Sequence, residues 1–462
     1  MFDSVVKIFA TVQPSNYSVP WQASMTEASG GSGVVIAGKR ILTGAHVVAD
    51  ATFLEIQKLS HPDHAIARVV AICHDADLAL LEVEDEGFLE DIDPAELGGL
   101  PQLQDRVSVV GYPVGGEELS VTEGVVSRVE VQRYTHSGRH LLAVSVDAAI
   151  NNGNSGGPVV QDGKVVGIAF QSLDDAENIG DMVPTPVIRQ FLGCVEAGRE
   201  PVIPGFACRW QTMQNPELRK AFGMLDGESG VLMTGVEFGG SAWGTLQTGD
   251  VLMEVGGLAI ANNGTVQYRG RHRLAWYGVL ADFHVGQELP IRWRRGADLH
   301  EARLVLHGPT SLVKDHNYDH TPSYFVFGGL VFQPLTLDYL REWRDWWEKA
   351  PRDLVQMYYR GMQTEARREI IVLTSVLADR VNMGYEDLEE SMIERVGDQV
   401  PRDLAHFVSL LESARGLVHL VAHSGSSVVI DADLARASAE RIATRYRIPA
   451  DRSPDLQGSA KA

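Results

Sequence analysis

The sequence predicts a mainly β protein with α+β appendages, and three observations carry that expectation. Roughly the first 190 residues break into short apolar runs at Gly and Pro, few with helical period, which is the texture of barrels or sandwiches. Pro201 and Pro204 then punctuate a linker-like stretch. Beyond it come two smaller units in which short strands surround helical segments. In the first part, strands are expected at 4–12, 33–37, 40–43, 67–72, 78–83, 106–110, 121–131, 141–146, 158–160 and 164–171. These suffice for two six-stranded barrels. A short helix is expected from 187 to 197, after Pro184 and Pro186. The expected division is 1–199, 202–308, 309–452 and a flexible tail, 453–462. The second unit should carry a long helical stretch at 265–282. The third reads as strand, helix, strand, helix, strand at 328–332, 338–357, 369–376, 403–413 and 417–421.

Composition narrows the function. The chain has 462 residues, 44% of them hydrophobic and 22% charged, which is ordinary globular usage. Forty Lys and Arg against sixty-one Asp and Glu give a net charge of −21, arguing against nucleic acid or an anionic membrane as partner. Cys73, Cys194 and Cys208 are too scattered for a disulfide framework or a zinc site. No cofactor is expected, because no Gly-rich phosphate loop leads from a strand into a helix. No apolar run is long enough to span a bilayer, and residues 1–12 alternate like a strand without a basic leader. Cytosol or organelle stroma is the default location, and a processed mature form would read the same way.

Three islands offer chemistry: 42–48 with His46, 75–81 with Asp77, and 153–158 with Ser155. Each alone has an ordinary structural explanation: a histidine after a strand, a turn-capping Asp, a Gly-rich loop. Together they supply base, carboxylate and alcohol in one chain, on a β-rich background where such groups must be assembled from distant loops. A serine hydroxyl needs an adjacent base, and His46 can take its proton. Asp77, just before an apolar run, can hold the imidazole tautomer and stabilise the imidazolium. Gly153, Gly156 and Gly157 permit a tight turn on which the amides of Gly153, Asn154 and Ser155 converge on an oxyanion. Asp75 competes for the carboxylate role from two residues further away. His61, His64 and His74 read as surface or turn residues.

These islands, with Gly31-Ser32-Gly33-Val34-Val35-Ile36, Val109-Val110-Gly111-Tyr112-Pro113 and Gly124-Val125-Val126-Ser127, resemble the HtrA/Deg serine endoproteases. The resemblance implies a chymotrypsin-like double β-barrel, independent of ATP and metals, followed by one or two PDZ domains. It implies His46, Asp77 and Ser155 as the triad and Gly153 and Asn154 as oxyanion donors. Gly44 departs from the family, where Asn is usual. Residues 168–172, 177–180 and 183–186 look most like the plant-type Deg subgroup, and Ile168 and Phe170 suggest a small or medium apolar side chain at the cleavage site.

In 202–308, Gly249-Asp250-Val251-Leu252 resembles a PDZ turn, and Ile203, Gly205, Phe206 and Ala207 would receive a peptide by strand addition and carboxylate capture. Pro204 removes one donor. In the last unit, 327–332 and 396–400 are weaker equivalents, making a divergent second PDZ-like domain. Leu340, Trp343, Trp346 and Trp347 recur at helical spacing, as a core stripe or a subunit contact. The expected partners are unfolded or misfolded polypeptides, peptide ligands and further copies of the chain, as a trimer or a multiple of trimers. The competing class is a chaperone or peptide-sensing scaffold whose protease site rests inactive.

Overall fold

The computed structural model describes residues 2–59, 61–113, 118–148, 150, 153–172 and 180–457. Strands β1 (Val5–Val12), β2 (Glu27–Ile36), β3 (Arg40–Thr43), β4 (Ala51–Lys58), β5 (His64–Cys73) and β6 (Leu78–Val83) close into an antiparallel barrel in the order β1-β2-β3-β6-β5-β4. A second barrel closes from β7 (Arg106–Gly111), β8 (Ser120–Arg133), β9 (His140–Val146), β10 (Pro158–Gln161), β11 (Lys164–Ser172) and β12 (Gly180–Pro184), in the order β10-β11-β12-β9-β8-β7. Alternation drives both closures. On β1 the inward residues Val6, Ile8 and Ala10 meet Val35, Ile41, Ile56 and Leu81 in one apolar core. Val109, Val144, Val159 and Ile168 fill the other barrel. Closure leaves neither sheet an exposed edge. The helix after β12 spans Thr185–Glu196, with Pro in its first turn, and buries Val187, Ile188, Phe191 and Leu192.

The next sheet contains β13 (Cys208–Thr212), β14 (Val231–Val236), β15 (Val251–Val255), β16 (Leu258–Ala259), β19 (Glu288–Arg295) and β20 (Asp298–Val305). Its order is β13-β14-β15-β19-β20, with β16 beside β15. The helix expected at 265–282 is not there. Instead β17 (Thr265–Tyr268) and β18 (His272–Ala275) form a hairpin, followed by a 3-10 helix over Trp276–Asp282. Arg269 and Gly270 at the turn both have positive φ, so the chain reverses where a helix would continue. Val266, Tyr268 and Leu274 are buried at strand spacing. Phe206, Trp276 and Val279 share one core with Leu142 of the second barrel and Ile188 of the helix that follows it. These parts form a single compact unit, made of β1, Thr26–Val236 and Gly240–Pro309.

A second compact unit consists of Gln13–Met25, Glu237–Gly239 and the chain from Thr310 onward. Its sheet runs β21 (Phe325–Phe327), β22 (Leu330–Pro334), β23 (Ile371–Val376), β24 (Ser391–Val396), β25 (Leu417–Ala422) and β26 (Ser427–Asp431) in sequence order. Residues 13–25, expected with the first domain, belong here: the Tyr17 hydroxyl donates to Asp338, and Gln333 donates to the Tyr17 carbonyl. The single helix expected at 338–357 is three short ones, Leu337–Leu340, Trp346–Lys349 and Arg352–Arg360. Positive φ at Asp345 and the intervening Pro351 interrupt it. Leu340 is buried, Trp343 and Trp346 pack against the same core, and Trp347 is exposed, so the aromatic stripe is mostly interior. Of the tail expected at 453–462, the first residues are ordered structure, because Pro454–Leu456 form a helical turn and Leu456 is buried. Residues 458–462 lie outside the described ones.

Candidate active site

His46 sits in the short helix Ala45–Val48 that leaves β3, and Asp77 ends the turn into β6. Both come from the first barrel. Asp77 adopts φ +52, a left-handed conformation that Asp tolerates better than most residues. One carboxylate oxygen accepts the His46 amide at 2.8 Å, and the other lies 2.7 Å from the imidazole Nδ1. Two bonds from one side chain thus fix backbone and ring together. Asp77 is 1% exposed and the His46 side chain 26%, so the imidazole faces the open side of the pair.

Burial works against the charged imidazolium, but the Asp77 carboxylate outweighs it and the His46 pKa is raised. Burial likewise opposes the Asp77 carboxylate, yet the charges and hydrogen bonds of His46, with a contribution from His136, hold its pKa below the usual value. His46 Nε2 is buried and has no hydrogen-bond partner among the described residues. Such bonds are commonly long in ligand-free sites and tighten when substrate arrives. A carbon at residue 44 would lie 2.6 Å from His46 Cε1, so the ring occupies space that the family's usual Asn would need.

The second barrel supplies the Gly-rich loop before β10. Gly153 and Gly156 have φ +101 and +80, and a side chain at Gly156 would also strike the Ser32 carbonyl. All three carbonyls of residues 153–155 are held: Gly153 by the Ser32 hydroxyl at 2.7 Å, Asn154 by the Gly157 amide at 2.9 Å, and Ser155 by the Ser32 amide at 2.9 Å. The amides of Gly153, Asn154 and Ser155 donate to no described acceptor. Three consecutive residues with their carbonyls tied back and their amides without a described acceptor suit an anion.

The competitor Asp75 is engaged elsewhere, paired to Arg139 at 2.7 Å. His74, expected at the surface or in a turn, does start the turn to Asp77 but also meets His136 at 3.0 Å. Sequence reasoning missed His136, whose ring centroid is 6.3 Å from that of His46, and it missed the Ser32 hydroxyl. Nothing but burial in a polar setting distinguishes either. Gln171 and Ser172 are described only in their backbone, and 177–179 lie outside the described residues.

In the loop before β13, Ile203, Gly205 and Phe206 are buried and Ala207 is half-buried, with φ +57 at Ala207. The Gly205 amide donates to the His307 carbonyl and its carbonyl accepts from Ser241. The Ile203 and Pro204 carbonyls accept from Arg139. The Phe206 and Ala207 amides remain without a described partner. Trp210 on β13 packs with Trp276 and Tyr277 beside this loop.

Residues 31–168 match the family model of the trypsin-like peptidase domain, and residues 313–455 that of the PDZ domain. The chain is 36% identical over 98% of its length to the putative protease Do-like 3, mitochondrial, of Arabidopsis thaliana, covering 80% of that protein. It is 34% identical, over 98% of this chain and 75% of the relative, to the chloroplastic protease Do-like 2 of the same plant. A solved structure of an HtrA-type protease, AlgW with tripeptide, is 26% identical and superposes on 66% of this chain and 95% of its own with a TM-score of 0.51. A trypsin-like double barrel joined to a PDZ domain defines a serine endopeptidase. The chain belongs to the HtrA/Deg family of Do-like serine proteases, with plant members among its relatives.

Proposed function

We propose that His46, Asp77 and Ser155 form the catalytic triad of this endopeptidase, with the amides of Gly153, Asn154 and Ser155 as its oxyanion donors. The observation carrying the reading is the presence of a doubly bonded His46–Asp77 couple together with a serine loop whose carbonyls at 153–155 are tied back. His46 accepts the Ser155 hydroxyl proton as the alcohol adds to the scissile carbonyl, and Asp77 stabilises the resulting imidazolium. The carbonyl oxygen takes negative charge against the loop amides. His46 then returns the proton to the leaving amine, and water repeats the sequence on the acyl ester. None of these steps calls on ATP or a metal.

Unfolded or damaged polypeptide is the proposed substrate, since cleavage needs an extended segment. The Phe206 and Ala207 amides and edge strand β13 are the proposed seat for a peptide carboxy terminus, which Ile203 and Gly205 support through their own bonds. The family pattern supports a homo-oligomer built from trimers. Mitochondrial and chloroplastic relatives support an organelle location, and no described helix is long and apolar enough to cross a membrane. The test is hydrolysis of unfolded casein: Ser155→Ala should abolish it, and equal activity in wild type and variant would remove Ser155 from the mechanism.

A further inference from the structure

Ser32 lies in the middle of β2, wholly buried, and reaches across to the serine loop. Its amide donates to the Ser155 carbonyl at 2.9 Å and its hydroxyl to the Gly153 carbonyl at 2.7 Å. The same oxygen accepts the Tyr112 amide at 2.8 Å, so its one proton is left to point at Gly153. Its carbonyl is fixed in turn by the Thr43 hydroxyl at 2.7 Å. One residue of the first barrel therefore grips the loop on both sides of Asn154.

A peptide unit is planar, so holding the Gly153 carbonyl also fixes the direction of the Asn154 amide on the opposite side of that plane. Gly153 has the conformational freedom to let this plane turn. The Ser32 hydroxyl is the described side-chain contact on that carbonyl. We propose that Ser32 is a positioning residue for hydrolysis: its hydroxyl locks the Gly153–Asn154 peptide and so keeps the oxyanion donors aimed. The inference rests on the assignment of Ser155 as nucleophile. Ser32 touches no reacting atom, and its effect should appear in the tetrahedral state rather than in peptide binding.

The experiment uses the full chain with a fluorogenic peptide substrate and a peptide boronate, which adds to the nucleophilic serine and places an oxygen among the donors. For Ser32→Ala, kcat should fall about 100-fold, the loss typical of one misplaced oxyanion donor. KM should stay within about twofold, since ground-state binding is untouched. The boronate should weaken by a comparable factor, while the uncleaved peptide binds Ser155→Ala and Ser32→Ala/Ser155→Ala equally. Ser32→Cys keeps the shape with a poorer donor and should show the same split if Ser32→Ala does not fold. Wild-type kcat and boronate affinity in the folded variants would overturn the inference, as would a loss shared equally by uncleaved-peptide binding. A wild type that takes no boronate at all would instead sink the Ser155 assignment.

Discussion

The two units that follow the barrels treat their sheet edges in opposite ways. In the first, the strand after the Gly-containing turn, β13, is the edge of its sheet, and two amides of the turn have no partner among the described residues. In the second, the strand after the corresponding Gly328-Gly329 turn is β22, paired on one side with β21 and on the other with β23. The outer strand β21 is itself covered: Phe325 bridges to Arg452, and the Val326 amide donates to the Asp451 carbonyl. At the far edge, the Tyr385 hydroxyl donates to the Val429 carbonyl and accepts its amide. Strand addition needs an open ladder, and this difference is the ground for proposing peptide capture at β13 rather than beside β21. Resemblance in sequence around a Gly turn does not settle whether the next strand has a vacant side.

Several substitutions can break or sharpen this contrast. The largest effect is expected from Ser155→Ala, which should lower casein hydrolysis by about 10⁴-fold or more, leaving an inert chain on which peptide capture is measured without cleavage. Asp77→Asn should lower kcat by about 10⁴-fold by presenting the wrong tautomer. The acid limb of kcat/KM should lie above about pH 6.5 in wild type, because Asp77 raises the His46 pKa. It should move to lower pH in the variant, as a pH–rate profile would report. The stability terms have opposite signs. The raised His46 pKa stabilises the fold below about pH 6.5 and that contribution is lost as pH rises, whereas the lowered Asp77 pKa stabilises it above about pH 3.9 and is lost as pH falls.

Smaller effects probe the two units directly. Leu456→Ala should cost about 2–3 kcal/mol in denaturant unfolding, because Leu456 packs into the carboxy-terminal core beside Phe325 and Phe407. A neutral result would mean that the final turn does not help close that sheet. Amidating the carboxy terminus of a peptide bound to the Ser155→Ala chain should weaken binding about tenfold or more, since a charged acceptor at the Phe206 and Ala207 amides is lost. Unchanged anisotropy titrations would place the peptide elsewhere. Tyr385→Phe should cost about 1 kcal/mol, the net worth of an ordinary hydrogen bond, without creating a peptide site.

Much of the barrel pair was legible because inward apolar residues alternate with polar ones over short runs. The strands that escaped are instructive. β4 offers only Leu54 and Ile56 as buried apolar residues, while Phe53 points outward. β12 reads Gly-Asp-Met-Val-Pro, and its buried Asp181 accepts from the Ser145 hydroxyl across the sheet, a partner that no local pattern announces. The longest helix among the described residues, Ala432–Tyr446, has a thin buried face of Ala435, Ser438 and Ile442 and was not anticipated, although Asp431 caps its first turn. The residues of the proposed triad stood out by their chemistry and chain order. Ser32 did not, because a serine between glycines in a strand resembles filler until the other barrel is placed against it. Tertiary pairing, rather than local pattern, gives such residues their meaning.

The proposed chemistry depends on one serine, in a loop suited to hold an oxyanion, acting as the nucleophile served by His46 and Asp77. Treating the full-length chain with a fluorophosphonate probe and mapping the adduct by mass spectrometry tests it most directly. One modification is expected, on Ser155, with casein hydrolysis lost in proportion to labelling. Labelling at another residue, or full hydrolysis by a chain whose Ser155 is completely modified, would contradict it.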